Sequence, residues 1–168
     1  MTDPLQEKIA RQAAPRSIMG RVQVSYPRIR QILVPLDFSG KSRQALRYAI
    51  PLARKFAARI VLLHVLTPGS PAPGPGPTDA TPAGLRRAAL KRLEKMAAQL
   101  LPDNLHAECV VLAGKPAAQI LAALVKYDID MVVLTTKGRT GLKRILLGST
   151  AEFIMRHSPC PVLSVRRE

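Results

Sequence analysis

The chain has 168 residues, 47% of them hydrophobic, and a formal charge of +15 from 26 basic and 11 acidic side chains. That length suits one domain with a sizeable core, and no apolar run approaches the roughly 18 residues of a membrane span. The charge favours anionic partners (nucleotide, nucleic acid or acidic lipid) without choosing among them.

Residues 1–30 carry no sustained apolar pattern. Six cations stand there against Asp3 and Glu7, so this segment reads as a basic, largely disordered extension before one domain at 31–168. No uninterrupted apolar leader core follows the first residues, which predicts a cytoplasmic protein.

Ordered structure is expected from the run Ile-Leu-Val-Pro-Leu at 32–36. It reads as a short strand, closing in Asp37-Phe38-Ser39 with Ser39 as N-cap of the next helix. That helix presents Ala45, Leu46, Ala49, Ile50, Ala53 and Phe56 or Ala57 at helical spacing, and Pro51 inside it predicts a kink or break. Residues 59–66 form a continuous apolar strand, as in a sheet covered on both faces. The Pro/Gly/Ser-rich stretch 67–82 reads as a mobile loop.

Next comes a basic helix with a stripe of Leu85, Ala89, Leu93, Met96 and Leu100, then a strand at 105–112. Pro116 opens a further helix, with Ile120, Leu121, Leu124 and Val125 inward. A fourth strand at 131–134 runs into a glycine-punctuated basic loop containing Lys137, Gly138, Arg139, Lys143 and Arg144 and ending in Gly148-Ser149. A helix follows at 150–157, and 161–165 is the fifth strand. Alternating strands and helices predict a parallel α/β sheet with helices on both faces.

Two readings of the loop and helix start stand side by side. Unpaired amides at a helix N-terminus, with cations nearby, suit a phosphate. Ser149-Thr150-Ala151-Glu152 also fits a capping box, a purely structural device. Asp37 likewise either caps the first helix or faces a ligand. If the first and fourth strands are neighbours, Asp37 and the loop meet in one crevice at the carboxyl end of the sheet.

His64, inside an apolar strand, reads as a hydrogen-bonded core residue. His106 and His157 have no partner at ligand or triad spacing, so neither a metal site nor a nucleophilic catalyst is expected. Cys109 and Cys160 read as reduced thiols. Three Tyr, three Phe and no Trp offer little for base stacking, so nucleic acid is not the expected partner.

From about 30 to 167 the chain resembles the universal stress protein family. The residues carrying the resemblance are Ile-Leu-Val-Pro-Leu-Asp-Phe-Ser (32–39), Leu-Leu-His-Val (62–65), Gly-Lys-Pro (114–116), the stretch from Gly138 to Glu152, and Arg-His-Ser-Pro-Cys-Pro-Val-Leu-Ser-Val-Arg (156–166). The resemblance implies a Rossmann-like open sheet of strand order 3-2-1-4-5 and a homodimer pairing through the last strand. It implies a stress-response or signalling role, with an adenine nucleotide such as ATP, Mg²⁺ as a possible companion, and a protein partner whose identity is open. Slow hydrolysis of ATP is compatible with it; dedicated catalysis is not expected.

Carried over by resemblance, Pro35 and Val65 border the adenine, Asp37 holds ribose hydroxyls, and Gly138, Gly148, Ser149 and Thr150 cradle phosphates. The family's nucleotide motif spaces three glycines before a Ser or Thr. Gly138 and Gly148-Ser149 match it, while Thr135 stands at the first glycine and brings a Cβ and hydroxyl where backbone must come close. Lys137 supplies a charge beside it. The alternative is a family member that binds no nucleotide and acts as a protein interaction module.

Overall fold

Five apolar runs become strands, β1 (Gln31–Pro35), β2 (Arg59–Leu66), β3 (Ala107–Ala113), β4 (Met131–Thr135) and β5 (Val162–Val165). Four helices connect them: α1 (Gly40–Phe56), α2 (Pro82–Leu100), α3 (Pro116–Lys126) and α4 (Ser149–His157). The computed structural model describes residues 28–69, 80–136 and 148–166. All strand pairs are parallel, in the order β3-β2-β1-β4-β5.

Period-two alternation divides the strands between two cores. Ile32, Val34, Ile60 and Leu62 face α1 and α2, whose Leu46, Ala49, Ala89 and Leu93 cover that side. Leu33, Val61, Leu63 and Val132 face α3 and α4, covered by Ile120, Leu124 and Ile154. Burial on both faces is why these strands read as unbroken apolar runs. Asp130 ties the start of β4 to the start of β1: its carboxylate accepts the N–H groups of Arg30 (2.7 Å) and Gln31 (2.9 Å).

Local chemistry sets the helix ends. Ser39 accepts the Ser42 N–H at 3.1 Å to cap α1, and Thr81 accepts that of Gly84 at 3.1 Å to cap α2. Pro82 is the first residue of α2 rather than the last of the preceding loop, because its missing N–H is not needed there. Residues 70–79 of that expected loop lie outside the described residues.

Several expected details differ. α1 continues through Pro51, an exposed position where the carbonyl left unpaired one turn earlier can meet water. Phe56 and Ala57 do not complete its inner face: Phe56 is exposed, Ala57 turns the chain at φ 53°, and Ala58 is buried instead. Val125 is 78% exposed, since helical spacing from Ile120 and Leu124 brings Ala123 inward in its place. β3 begins at Ala107 because the preceding residues are held in a turn, Leu105 N–H to Pro102 O at 2.8 Å. No helix of the described residues is long and apolar enough to cross a membrane.

Candidate functional site

β1 and β4 are neighbours, and the chain leaves them in opposite directions. After β1 it passes to α1 on one face of the sheet, and the helix that precedes β5, α4, lies on the other. Diverging connections open a crevice beyond the carboxyl ends of the two strands.

The turn after β1 is held by its own side chains. Asp37 Oδ1 accepts the Ser39 N–H at 2.9 Å, and the Ser39 carbonyl accepts the Ser42 hydroxyl at 3.1 Å. Between them Phe38 adopts φ 62°, the left-handed region that a bulky L-residue enters only under constraint. The constraint is visible. The Phe38 ring is 8% exposed, packs 4.2 Å from the His64 ring, and lies beneath the Arg92 guanidinium at 4.3 Å. His64 is fixed in turn by Nδ1 at 2.7 Å from the Leu36 carbonyl. This is the core histidine that its apolar strand predicts.

At the end of β4 the described residues are joined through the backbone. The Gly148 N–H donates to the Thr136 carbonyl at 2.7 Å, bringing residue 148 beside the end of β4. Gly148 is the N-cap of α4, and its carbonyl accepts the Glu152 N–H at 2.9 Å. Ser149 is therefore the first helical residue, not the cap, and the capping box of the structural reading does not form. Glu152 pairs instead with Arg156, one turn on, at 3.0 Å. With no side-chain cap, the N–H groups of Ser149, Thr150 and Ala151 donate to no described residue.

Between these turns lies a cleft of about 720 Å³, within the roughly 300–1,000 Å³ usual for small-molecule sites. Pro35, Asp37, Val65, Thr135, Gly148, Ser149 and Thr150 all line it. The structure thus brings together seven positions selected from sequence; the other two, Lys137 and Gly138, lie outside the described residues. Apolar walls from Val65, Ile120 and Leu134 face a polar rim of carboxylate, hydroxyls and helix amides. A flat aromatic base against the walls and a phosphate at the helix start suit that division.

Thr135 is an ordinary strand residue, paired with Val165 and absent from the positive-φ positions. Its backbone would not require glycine; only the volume of its side chain bears on a guest. Phe38, Ser42, His64 and Arg92 also line the cleft without having been selected as ligand-facing. Helical spacing places Arg92 beside the buried Leu93, which marks it as a boundary residue, but its nearness to β1 is a tertiary fact.

The remaining candidate groups stand apart. Both cysteines are free and partly buried. Burial, then the Glu94 and Glu108 carboxylates, push the Cys109 thiol up to about 11, so it stays protonated at neutral pH. His157 is exposed, with its ring on Phe153 at 4.2 Å and Nδ1 at 2.9 Å from the Phe153 carbonyl. Among the described residues no group of three or more metal-ligating side chains gathers.

Comparison with known proteins agrees with this architecture. Residues 28–166 match the Universal stress protein family. A universal stress protein of Methanocaldococcus jannaschii is 35% identical over 143 residues, covering 82% of either chain. Among solved structures, a universal stress protein in complex with cAMP superposes with a TM-score of 0.59 at 20% identity, over 83% of this chain and 98% of that one. A family protein of Arabidopsis thaliana with AMP bound gives a TM-score of 0.55 at 17% identity, over 83% and 92%. The two structural likenesses are of fold, whereas the sequence match spans strands, cleft and helix starts alike. The chain belongs to the universal stress protein family.

Proposed function

We propose that this protein is a stress-response or signalling protein that binds an adenine nucleotide in the cleft between the ends of β1 and β4. One observation carries the reading: Asp37, an acceptor suited to ribose hydroxyls, and the uncapped amides of α4, suited to phosphate, line the same cleft. Pro35 and Val65 border the base, Gly148, Ser149 and Thr150 meet the phosphates, and Lys137 and Gly138 belong to the same set. Relatives of this fold solved with cAMP and with AMP support an adenine ligand.

Mg²⁺ fits as a companion, since that ion is commonly held by one or two carboxylates together with ligand phosphates, and Asp37 is the one carboxylate among the described lining residues. With a single carboxylate, already engaged by the Ser39 N–H, the role is binding rather than dedicated turnover. The protein works as a cytoplasmic homodimer pairing through β5, an edge strand on which Leu163 is 37% exposed.

Calorimetric titration of the full chain with ATP, ADP, AMP and cAMP tests the cleft, with analysis of the supernatant from denatured, freshly purified protein for adenine nucleotide. Saturable binding at micromolar levels is expected. A flat titration and a clean supernatant would leave the interaction-module alternative, with Thr135 filling the place of the guest.

A further inference from the structure

The cleft has a second wall that the ligand contacts named so far do not use. Val65 packs toward α3 and α4, while its neighbours His64 and Leu66 point to the α1 and α2 side. From that second side Phe38, Ser42 and Arg92 also reach the cleft. α2 carries Arg86, Arg87, Lys91, Arg92 and Lys95 against the single carboxylate Glu94. Of these six only Arg92 lines the cleft.

Arg92 is held without being neutralised. Its guanidinium carbon lies 4.3 Å from the centre of the Phe38 ring. That ring is locked by the left-handed backbone at φ 62° and by the His64 ring at 4.2 Å. Contact with a ring face leaves a guanidinium its charge and its N–H donors. No hydrogen bond or ion pair joins Arg92 to a described residue. A partly buried cation, oriented by an aromatic platform and lacking a carboxylate, is suited to bidentate recognition of phosphate.

We propose that Arg92 is a second anion-binding arm of the cleft, taking the distal phosphates of a polyphosphate whose proximal phosphate sits at the start of α4. The two arms stand on opposite faces of the sheet, so a chain of phosphates can bridge them where a single phosphate cannot. The consequence is a preference for nucleoside di- and triphosphates over monophosphates. This rests on the nucleotide reading above.

The test is titration of the full chain with ATP, AMP, adenosine and tripolyphosphate, for the wild type and the Arg92→Met and Arg92→Lys variants, at one fixed salt concentration. ATP is expected to bind the wild type about tenfold or more tightly than AMP. Arg92→Met should weaken ATP roughly 10- to 100-fold, the range for losing hydrogen bonds to a charged group, and change AMP and adenosine less than about twofold. Arg92→Lys should recover part of the loss. Equal weakening of ATP and AMP, or none of either, overturns the proposal, since a merely structural role of the stack on Phe38 moves all ligands together. If the wild type binds no adenine nucleotide, the nucleotide reading fails and tripolyphosphate decides for Arg92. Binding abolished by Arg92→Met keeps it as an anion arm for free polyphosphate, and absence of binding to the wild type removes that role.

Discussion

Two turns hold equivalent places in this sheet, at the carboxyl ends of the neighbouring strands β1 and β4, and they are built on different terms. After β1, side chains hold the chain: Asp37 takes the Ser39 N–H, Ser39 caps α1 through the Ser42 N–H, and Phe38 is wedged in a left-handed conformation by His64 and Arg92. After β4, a backbone bond joins Gly148 to Thr136, and α4 begins without a side-chain cap. A turn that satisfies itself is a rigid wall. A helix start whose amides have no described partner is receptive to an anion. The same topological position thus supplies a side-chain-braced turn on one side and a helix start with unpartnered amides among the described residues on the other.

The contrast can be broken at the rigid turn first. Phe38→Ala removes the buried ring but leaves a Cβ in the left-handed region, so roughly 3–5 kcal/mol of stability should be lost, as for large-to-small changes of buried aromatics. Urea denaturation reads this directly; a loss below about 1 kcal/mol would show that the stack with His64 and Arg92 does not hold the turn. Asp37→Ala comes next. On the proposed reading it weakens adenine nucleotide roughly 100-fold, the cost of losing hydrogen bonds to a charged group, with a smaller stability loss from the Ser39 N–H it leaves unpaired. Calorimetry and a thermal melt on the same preparation separate the two effects.

A matched pair sharpens the comparison further. Ser39→Ala should cost about 1 kcal/mol of stability through the lost cap of α1. Ser149→Ala should leave stability within about 0.5 kcal/mol, because its hydroxyl caps nothing described, and instead weaken nucleotide about tenfold. Should Ser149→Ala destabilise as much as Ser39→Ala, the two turns are alike and the distinction falls. The smallest effect is expected at Thr135→Gly, which trades about 0.5–1 kcal/mol of strand stability for room in the cleft. Nucleotide affinity should rise; unchanged or weaker binding in titration would remove the steric argument about Thr135.

Much of the fold was legible before any coordinates. The runs at 59–66 and 131–134 are apolar enough that only a sheet covered on both faces accommodates them. The spacing of Ala45, Leu46, Ala49 and Ala53 admits one buried helix face, and all four are fully buried. The structure departs from expectation at element ends, where one residue of helical phase decides inside from outside. Val125 and Phe56 are examples, because apolarity does not fix the phase there. Ser149 fits a capping box as text, yet the chain is drawn in one residue earlier by the Gly148 to Thr136 bond.

By itself, then, the sequence determined the alternation of strands and helices, the two-sided burial of the sheet and the family. The first two follow from period and composition, which are properties of neighbouring residues, and the family follows from the resemblance its motifs carry. Only the tertiary structure decided that Asp37, Thr135 and Ser149 share one cleft, that α4 begins uncapped at Gly148, and that Arg92 rests on Phe38 from the opposite wall. Those facts depend on contacts between residues from a dozen to about a hundred positions apart. Local periodicity carries no record of them, since each partner's spacing along the chain is the same wherever the other comes to rest.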